Sequence, residues 1–189
     1  MIPLHRAKSF EIGYRPWGGA YHPAAYAEMT AIPDGIRFCL WCEEPFAAPA
    51  CTQDNGPVYM DSCLEAFVDF YPQAKRGYIN FEMNVAGALL MQFGPDRGHR
   101  RFLTRAETGP KVTPFTAENT WGVQLDVPFS FVQEVYTASQ PPDPACLRGN
   151  FYKCGSAPEH YICWAPVQTP APDFHRPEFF QTLWLFSRP

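Results

Sequence analysis

In Tyr78-Ile79-Asn80-Phe81-Glu82-Met83-Asn84-Val85, the apolar Ile79, Phe81, Met83 and Val85 alternate strictly with Tyr78, Asn80, Glu82 and Asn84. Successive side chains of a strand point to opposite faces, so this stretch is a β-strand with one apolar and one polar face. Upstream, Tyr59 to Phe70 alternates in the same way. Tyr59, Asp61, Cys63, Glu65 and Phe67 share one face, and Met60, Ser62, Leu64, Ala66 and Val68 share the other. An antiparallel hairpin through Pro72 to Gly77 that aligns Glu65 with Glu82 also aligns Phe67 with Asn80 and Asp69 with Tyr78. Two carboxylates placed directly opposite each other repel. This register therefore predicts a Lys, an Arg or a metal ion between them, or one raised pKa.

Other strands follow outward from this pair. Ile36, Phe38 and Leu40 alternate with Arg37, Cys39 and Trp41 until Glu43-Glu44-Pro45 ends the run, and the loop from Phe46 to Pro57 is a long surface connection. Residues 1 to 30 read as an opening strand followed by irregular chain. Further strands are expected at Arg100 to Arg105, Trp121 to Val127, Asn150 to Cys154, Tyr161 to Trp164 and Thr182 to Phe186, with a short helical turn from Phe131 to Val135. Gln140-Pro141-Pro142-Asp143-Pro144 is a stiff linker. The chain has 189 residues with 21 prolines and 13 glycines, is 16% aromatic, and is 18% charged against about 25% in an average domain. Such a composition disfavours long helices and suits short strands joined by rigid turns. The reading is an all-β, two-sheet antiparallel β-sandwich of one domain, residues 1–189, with at most short helical turns.

A net charge of −4 argues against nucleic-acid binding, which normally needs a basic face. No run of about 18 apolar residues is present, so no membrane span is expected. Met1-Ile2-Pro3-Leu4-His5-Arg6 lacks the apolar core of a signal peptide. The default location is cytoplasmic, or extracellular if the chain is a mature fragment. Cys39-Leu40-Trp41-Cys42 has no second Cys-x-x-Cys to complete a structural zinc site, and in a strand its two thiols face opposite sides, one buried and one on the surface. No Gly-x-Ser-x-Gly elbow or His partner spacing supports a hydrolytic triad. Asp61, Glu65 and Glu82 could formally supply paired carboxylates for glycoside hydrolysis. Trp121, Phe179 and Phe180 read as core. Trp41, on the polar parity beside Arg37 and Cys39, and Trp164, just before Pro166, are the surface candidates for stacking on a sugar ring.

The stretch Asn55-Gly56-Pro57-Val58-Tyr59-Met60-Asp61-Ser62-Cys63-Leu64-Glu65-Ala66-Phe67 resembles the Asp-x-x-x-Glu-x-Phe strand of carbohydrate-binding module family 9-like proteins. Tyr78 to Asn84, Gly149-Asn150-Phe151-Tyr152-Lys153-Cys154-Gly155, Trp164-Ala165-Pro166 and Pro172 to Phe180 resemble later blocks of that family in the same order. The resemblance implies a DOMON-like, jelly-roll-like sandwich and non-catalytic binding of an oligosaccharide or polysaccharide, and it leaves room for a structural calcium ion. Family members clamp a sugar between two tryptophans. Here the stacking position nearest Asp61 falls on Tyr59 or Met60, with Trp164 as the second wall. The expected site is Trp164 and Tyr59, with Trp41 as a further aromatic, and Asn150, Lys153, Glu82 and Asn80 as hydrogen-bonding partners. The alternatives are a haem-binding DOMON-like redox module, using Met60 or Met83 with His160 or His175, and a glycoside hydrolase using the carboxylates.

Overall fold

The computed structural model describes residues 9–45 and 48–185. The strands are β1 (Phe10–Ile12), β2 (Ala24–Ile32), β3 (Gly35–Glu43), β4 (Cys63–Asp69), β5 (Tyr78–Asn84), β6 (Leu89–Gly94), β7 (Arg101–Phe102), β8 (Lys111–Ala117), β9 (Thr120–Pro128), β10 (Arg148–Ser156), β11 (Glu159–Cys163) and β12 (Gln181–Thr182). A single α-helix, α1 (Phe129–Tyr136), lies between β9 and β10 among the described residues. The smaller sheet runs β1-β2-β3-β9-β8. The larger runs β11-β10-β4-β5-β6-β7, with β12 pairing the start of β10. All the pairings are antiparallel. The expected two-sheet β-sandwich is the fold.

The β4–β5 register is the expected one: Glu65 pairs with Glu82 and Phe67 with Asn80. Leu64, Ala66, Val68, Ile79, Phe81 and Met83 consequently face the other sheet. There they meet Ala27, Met29, Phe38, Leu40, Trp121, Val123 and Leu125 in one continuous core. The opposite face of the larger sheet is also covered. Phe67, Tyr78, Leu90, Tyr152 and Cys154 form a second apolar cluster with Val58, Val167, Phe174 and Phe180, which come from irregular chain on either side of the sandwich. Tyr152 stacks on Phe174 at 4.1 Å between ring centroids, and Phe67 lies edge-on to Tyr152. The segments that carry Val58, Val167, Phe174 and Phe180 are therefore packed cover for a sheet face rather than free loops.

Several sequence expectations need correction. Val58–Met60 is a turn of 3-10 helix, so the strand expected from Tyr59 begins at Cys63. β2 replaces chain read as irregular, β6 and β8 add strands beyond those expected, and Arg100 to Arg105 contributes only two strand residues. Of the strand expected from Thr182 to Phe186, only Thr182 belongs to β12, residues 183–185 are irregular, and Phe186 lies outside the described residues. Trp41 and Cys39, read as surface residues, are buried, with Trp41 only 1% exposed. Their face of the smaller sheet is covered because Tyr26 stacks on Trp41 at 5.4 Å and the ring of Phe115 lies across Gly122, the partner of Trp41 on β9.

A glycine is required at that crossing. A Cβ at position 122 would lie 2.4 Å from Phe115 Cζ, 2.5 Å from the Leu40 carbonyl oxygen and 2.8 Å from Trp41 Cβ. Two of these neighbours can move only by shifting the sheet. Gly122→Ala should therefore cost about 1–3 kcal/mol, the usual range for overpacking, read as a lower urea midpoint at unchanged slope.

Candidate functional site

A cleft of about 630 Å3 opens through the cover on the outer face of the larger sheet. Its floor is set by strand alternation: Glu65 and Phe67 of β4, Glu82 of β5, Leu90 and Gln92 of β6 and Cys154 of β10 all point outward. One wall is the segment Asn55 to Met60. Facing it are Arg97, Arg100 and Phe102 from the β6–β7 region, with Tyr161 and Pro172 to His175 closing the remainder. Tyr59, Met60 and Phe102 are exposed at the rim, with Tyr59 47% exposed, so flat aromatic surface meets a polar floor.

The floor is acidic, with its carboxyls buried. Glu65 is 2% and Glu82 5% exposed. Burial pushes the Glu82 carboxyl up to about 7, against the opposing pull of the Asn80 amide and of Arg100 and Arg97. Glu65 is pushed well up in the same direction, first by burial and then by repulsion from Cys154 and Glu82 whenever these ionise. The register reading expected a cation between these carboxylates or one raised pKa, and without a cation both carboxyls are displaced upward. Asn80 donates to Glu82 Oε1 at 2.9 Å and accepts from Arg100 Nε at 3.1 Å, so it holds the carboxylate in place rather than lining the cleft itself. Arg100 spends its remaining donors on the carbonyls of Tyr78, Gln92, Gly94 and Asp96, and its guanidinium lies 4.3 Å from the centre of the Tyr78 ring. His175 Nδ1 is 2.9 Å from the Tyr78 hydroxyl. Burial and then the charges of Arg100 and Arg97 lower the His175 pKa to about 3, so the ring is neutral near pH 7.

Of the residues singled out in the sequence, Tyr59 and Glu82 come together on this cleft, with Asn80 immediately behind. The others lie elsewhere. Trp164 is half-buried against the inter-sheet core, edge-on to Phe10 at 4.7 Å and to Trp184 at 5.4 Å. Trp41 is sealed under Tyr26. Asn150 is fully buried and fastens the chain after β11, donating to the Ala165 carbonyl at 2.9 Å and accepting from the Ala165 and Phe151 amides. Lys153 shares the inward parity of Phe151 and is 0% exposed. Its ammonium contacts Glu44 at 3.2 Å, Ser62 Oγ at 2.9 Å, the Cys154 carbonyl at 3.1 Å and His160 Nε2 at 2.7 Å.

Glu44 is the hub of that second, internal cluster. It accepts from Tyr21 at 2.5 Å, from Trp121 Nε1 at 2.9 Å and from Ser62. Burial alone would raise its pKa, but the Lys153 charge and these donors outweigh it and bring the carboxyl down to about 2. Arg97, Tyr161, Phe174 and His175 were not read as saccharide contacts: Tyr161 reaches the cleft from β11, and the other three arrive on irregular chain that returns over the sheet. The alternation of Tyr152 with Cys154 was the one local signal for a further floor residue.

The calcium ion implied by the resemblance can be tested against the donors present. Calcium takes six to eight oxygen ligands. Asp61 uses both carboxylate oxygens on the amides of Ala50 and Cys51 and on Asn84 Nδ2. The one group of three or more His, Cys, Asp or Glu ligand atoms that converges among the described residues is Cys63, Glu65 and Cys154, whose two sulfurs do not suit calcium.

An acidic, aromatic-rimmed cleft on the outer face of an antiparallel sandwich is the architecture of a small-ligand binding domain. The sequence profile of carbohydrate-binding family 9 matches residues 7–185, and the chain belongs to that family. Among solved structures, a candidate carbohydrate-binding protein from Bacteroides uniformis is 28% identical, with a TM-score of 0.78 over 91% of this chain and 83% of its own. A family 9 module from Caldicellulosiruptor kristjanssonii, solved with glucose and with cellotriose, has a TM-score of 0.61 at 11% identity, a likeness of fold. It covers 95% of this chain, and 85% and 83% of its own chain in the two complexes. No curated protein matches the chain.

Proposed function

We propose that the chain is a non-catalytic carbohydrate-binding module and that the cleft over β4, β5, β6 and β10 receives the saccharide. The observation that carries this is the pairing, in a family 9 chain, of exposed Tyr59 with buried Glu82 across one open cleft. A sugar ring offers C–H groups on its faces, which suit the Tyr59 ring, and hydroxyls at its edge, which suit the Glu82 carboxylate and the exposed Arg97. Asn80 acts through Glu82. Glucose and short β-glucans such as cellotriose are the first ligands to try, because a family 9 module of the same fold has been solved with both.

The haem reading is not favoured. Met83 lies in the inter-sheet core and His160 is bound to Lys153, while His175, which shares the cleft with Met60, has Nδ1 engaged by Tyr78. Calorimetric titration tests the proposal. Tyr59→Ala should weaken saccharide binding roughly fivefold or more, the scale of one aromatic contact above about 1 kcal/mol. Its unfolding midpoint should stay put, since the side chain is exposed. Trp164→Ala should do the reverse. Equal affinity of Tyr59→Ala and the parent chain would remove the cleft from consideration.

A further inference from the structure

The cleft floor carries a second constellation that saccharide binding does not use. Cys63 and Glu65 are two residues apart on β4 and so share its outer face, and the antiparallel register sets Cys154 of β10 directly opposite Cys63. The two sulfurs and a Glu65 oxygen all lie within 4.8 Å of one another, with Cys154 Sγ 2.9 Å from Glu65 Oε1. A tetrahedral zinc ion, with bonds of about 2.3 Å to sulfur and 2.0–2.2 Å to oxygen, holds such donors ~3.6–3.8 Å apart. The three groups thus need sub-ångström to ångström adjustment to take one ion.

Charge points the same way. Glu65 and Glu82 face each other in a buried position, yet among the described residues no basic side chain pairs with either. Lys153 is spent on Glu44 and Arg100 on Asn80 and backbone carbonyls. The strand register on its own predicts a cation or a raised pKa at this pair. Glu65 and Cys154 line the cleft, which gives an ion its entry path, whereas Cys63 lies behind them.

The geometry points to a binding site for a borderline-soft divalent cation of the zinc class, with Cys63, Cys154 and Glu65 as ligands and the fourth position open to the cleft. Three protein ligands and one open position is the pattern of zinc sites that meet a small molecule. Binding displaces to solvent the two thiol protons and the proton that burial holds on the Glu65 carboxyl, and Zn2+ with two thiolates and a carboxylate leaves one net negative charge. The site stands independently of saccharide recognition.

The test uses the full reduced chain, stripped with chelator and free of sugar. Zinc titration should give one ion per chain, and cobalt(II) should produce a thiolate-to-metal charge-transfer band with tetrahedral visible absorption. Cys63→Ser, Cys154→Ser and the isosteric Glu65→Gln should each weaken zinc by more than the roughly 10–100-fold that loss of a group supporting a ligand costs. Cys146→Ser, on an exposed thiol, should leave it unchanged. Circular dichroism establishes which variants are folded, and Glu65→Gln keeps the test decisive if a serine variant is not. No zinc uptake, cobalt bound without the thiolate band, or unchanged affinity in folded Glu65→Gln would overturn the assignment.

Discussion

Lys153→Met lowers the stability of this domain by about 3–5 kcal/mol, the cost of removing one partner of a buried ion pair. The substitution nearly preserves side-chain length, so the loss comes from charge and not from a cavity. It strands the Glu44 carboxylate among Trp121, Ser62 and Tyr21 without a cation, and it removes the donor to His160. The folded pKa of Glu44, about 2, lies below its usual 4.5. Its contribution is therefore complete above pH 4.5 and is lost as pH falls through about 2. In the Lys153→Met variant that protection disappears, and acid unfolding should move to higher pH. A double variant with Glu44→Gln should recover much of the loss, because an uncharged amide leaves no bare charge behind. Urea unfolding of the two single variants and the double gives the coupling energy directly. A single-variant cost under about 1 kcal/mol, the range of an exposed pair, would mean that water reaches Glu44.

Glu82→Gln stabilises the metal-free chain at alkaline pH, by about 2–3 kcal/mol at pH ~8.5, and changes it little at pH ~4. The folded carboxyl, at about 7, lies above its ordinary 4.5 because of burial. A raised acid supports folding below pH 4.5, and that support is lost as pH rises through 7. A shift of this size corresponds to about 3 kcal/mol by linkage. The substituted amide cannot ionise, and loss of the charge also relieves Glu65, so the downward slope of stability between about pH 5 and 8 should flatten. Saccharide affinity should fall in the same variant, so stability and binding move in opposite directions. Parallel pH–stability curves for the two proteins would show that the carboxylate is already solvated in the fold.

The part of this molecule that was legible in the sequence is the part governed by parity. Glu65 opposite Glu82, the inward row Trp121-Val123-Leu125-Val127, and a short helix near Phe131 follow from neighbours along the chain. What escaped was decided by contacts distant in sequence. β2 presents Ala25 and Ala27 to the core, side chains too small to register as a hydrophobic stripe. β8 contains Pro114 and is mostly exposed, which an edge strand tolerates and a central one does not. Trp41 has the parity of a surface residue and is covered by Tyr26 and by Phe115 lying over Gly122. Lys153 carried a readable sign in its inward parity beside Phe151, since a lysine facing a core needs a buried anion. Nothing local named Glu44 as that anion. At the candidate site, Glu82 was legible from strand parity and Tyr59 from the family resemblance, whereas Arg97 and His175 arrive from irregular chain.

The stack of Tyr152 on Phe174, with the prolines on either side of the cleft, bears on the entropy of recognition. Pro57 and Pro172 have fixed φ, and the ring stack fastens the returning segment to a β-strand within the larger sheet. Walls already held in place lose little conformational freedom when a ligand lies against them, so the free energy of contact is not spent on ordering the chain. On the proposed reading, a sugar leaving water meets a surface shaped in advance, and the unfavourable part of the encounter is then stripping hydration from its hydroxyls, since Glu82 is already buried.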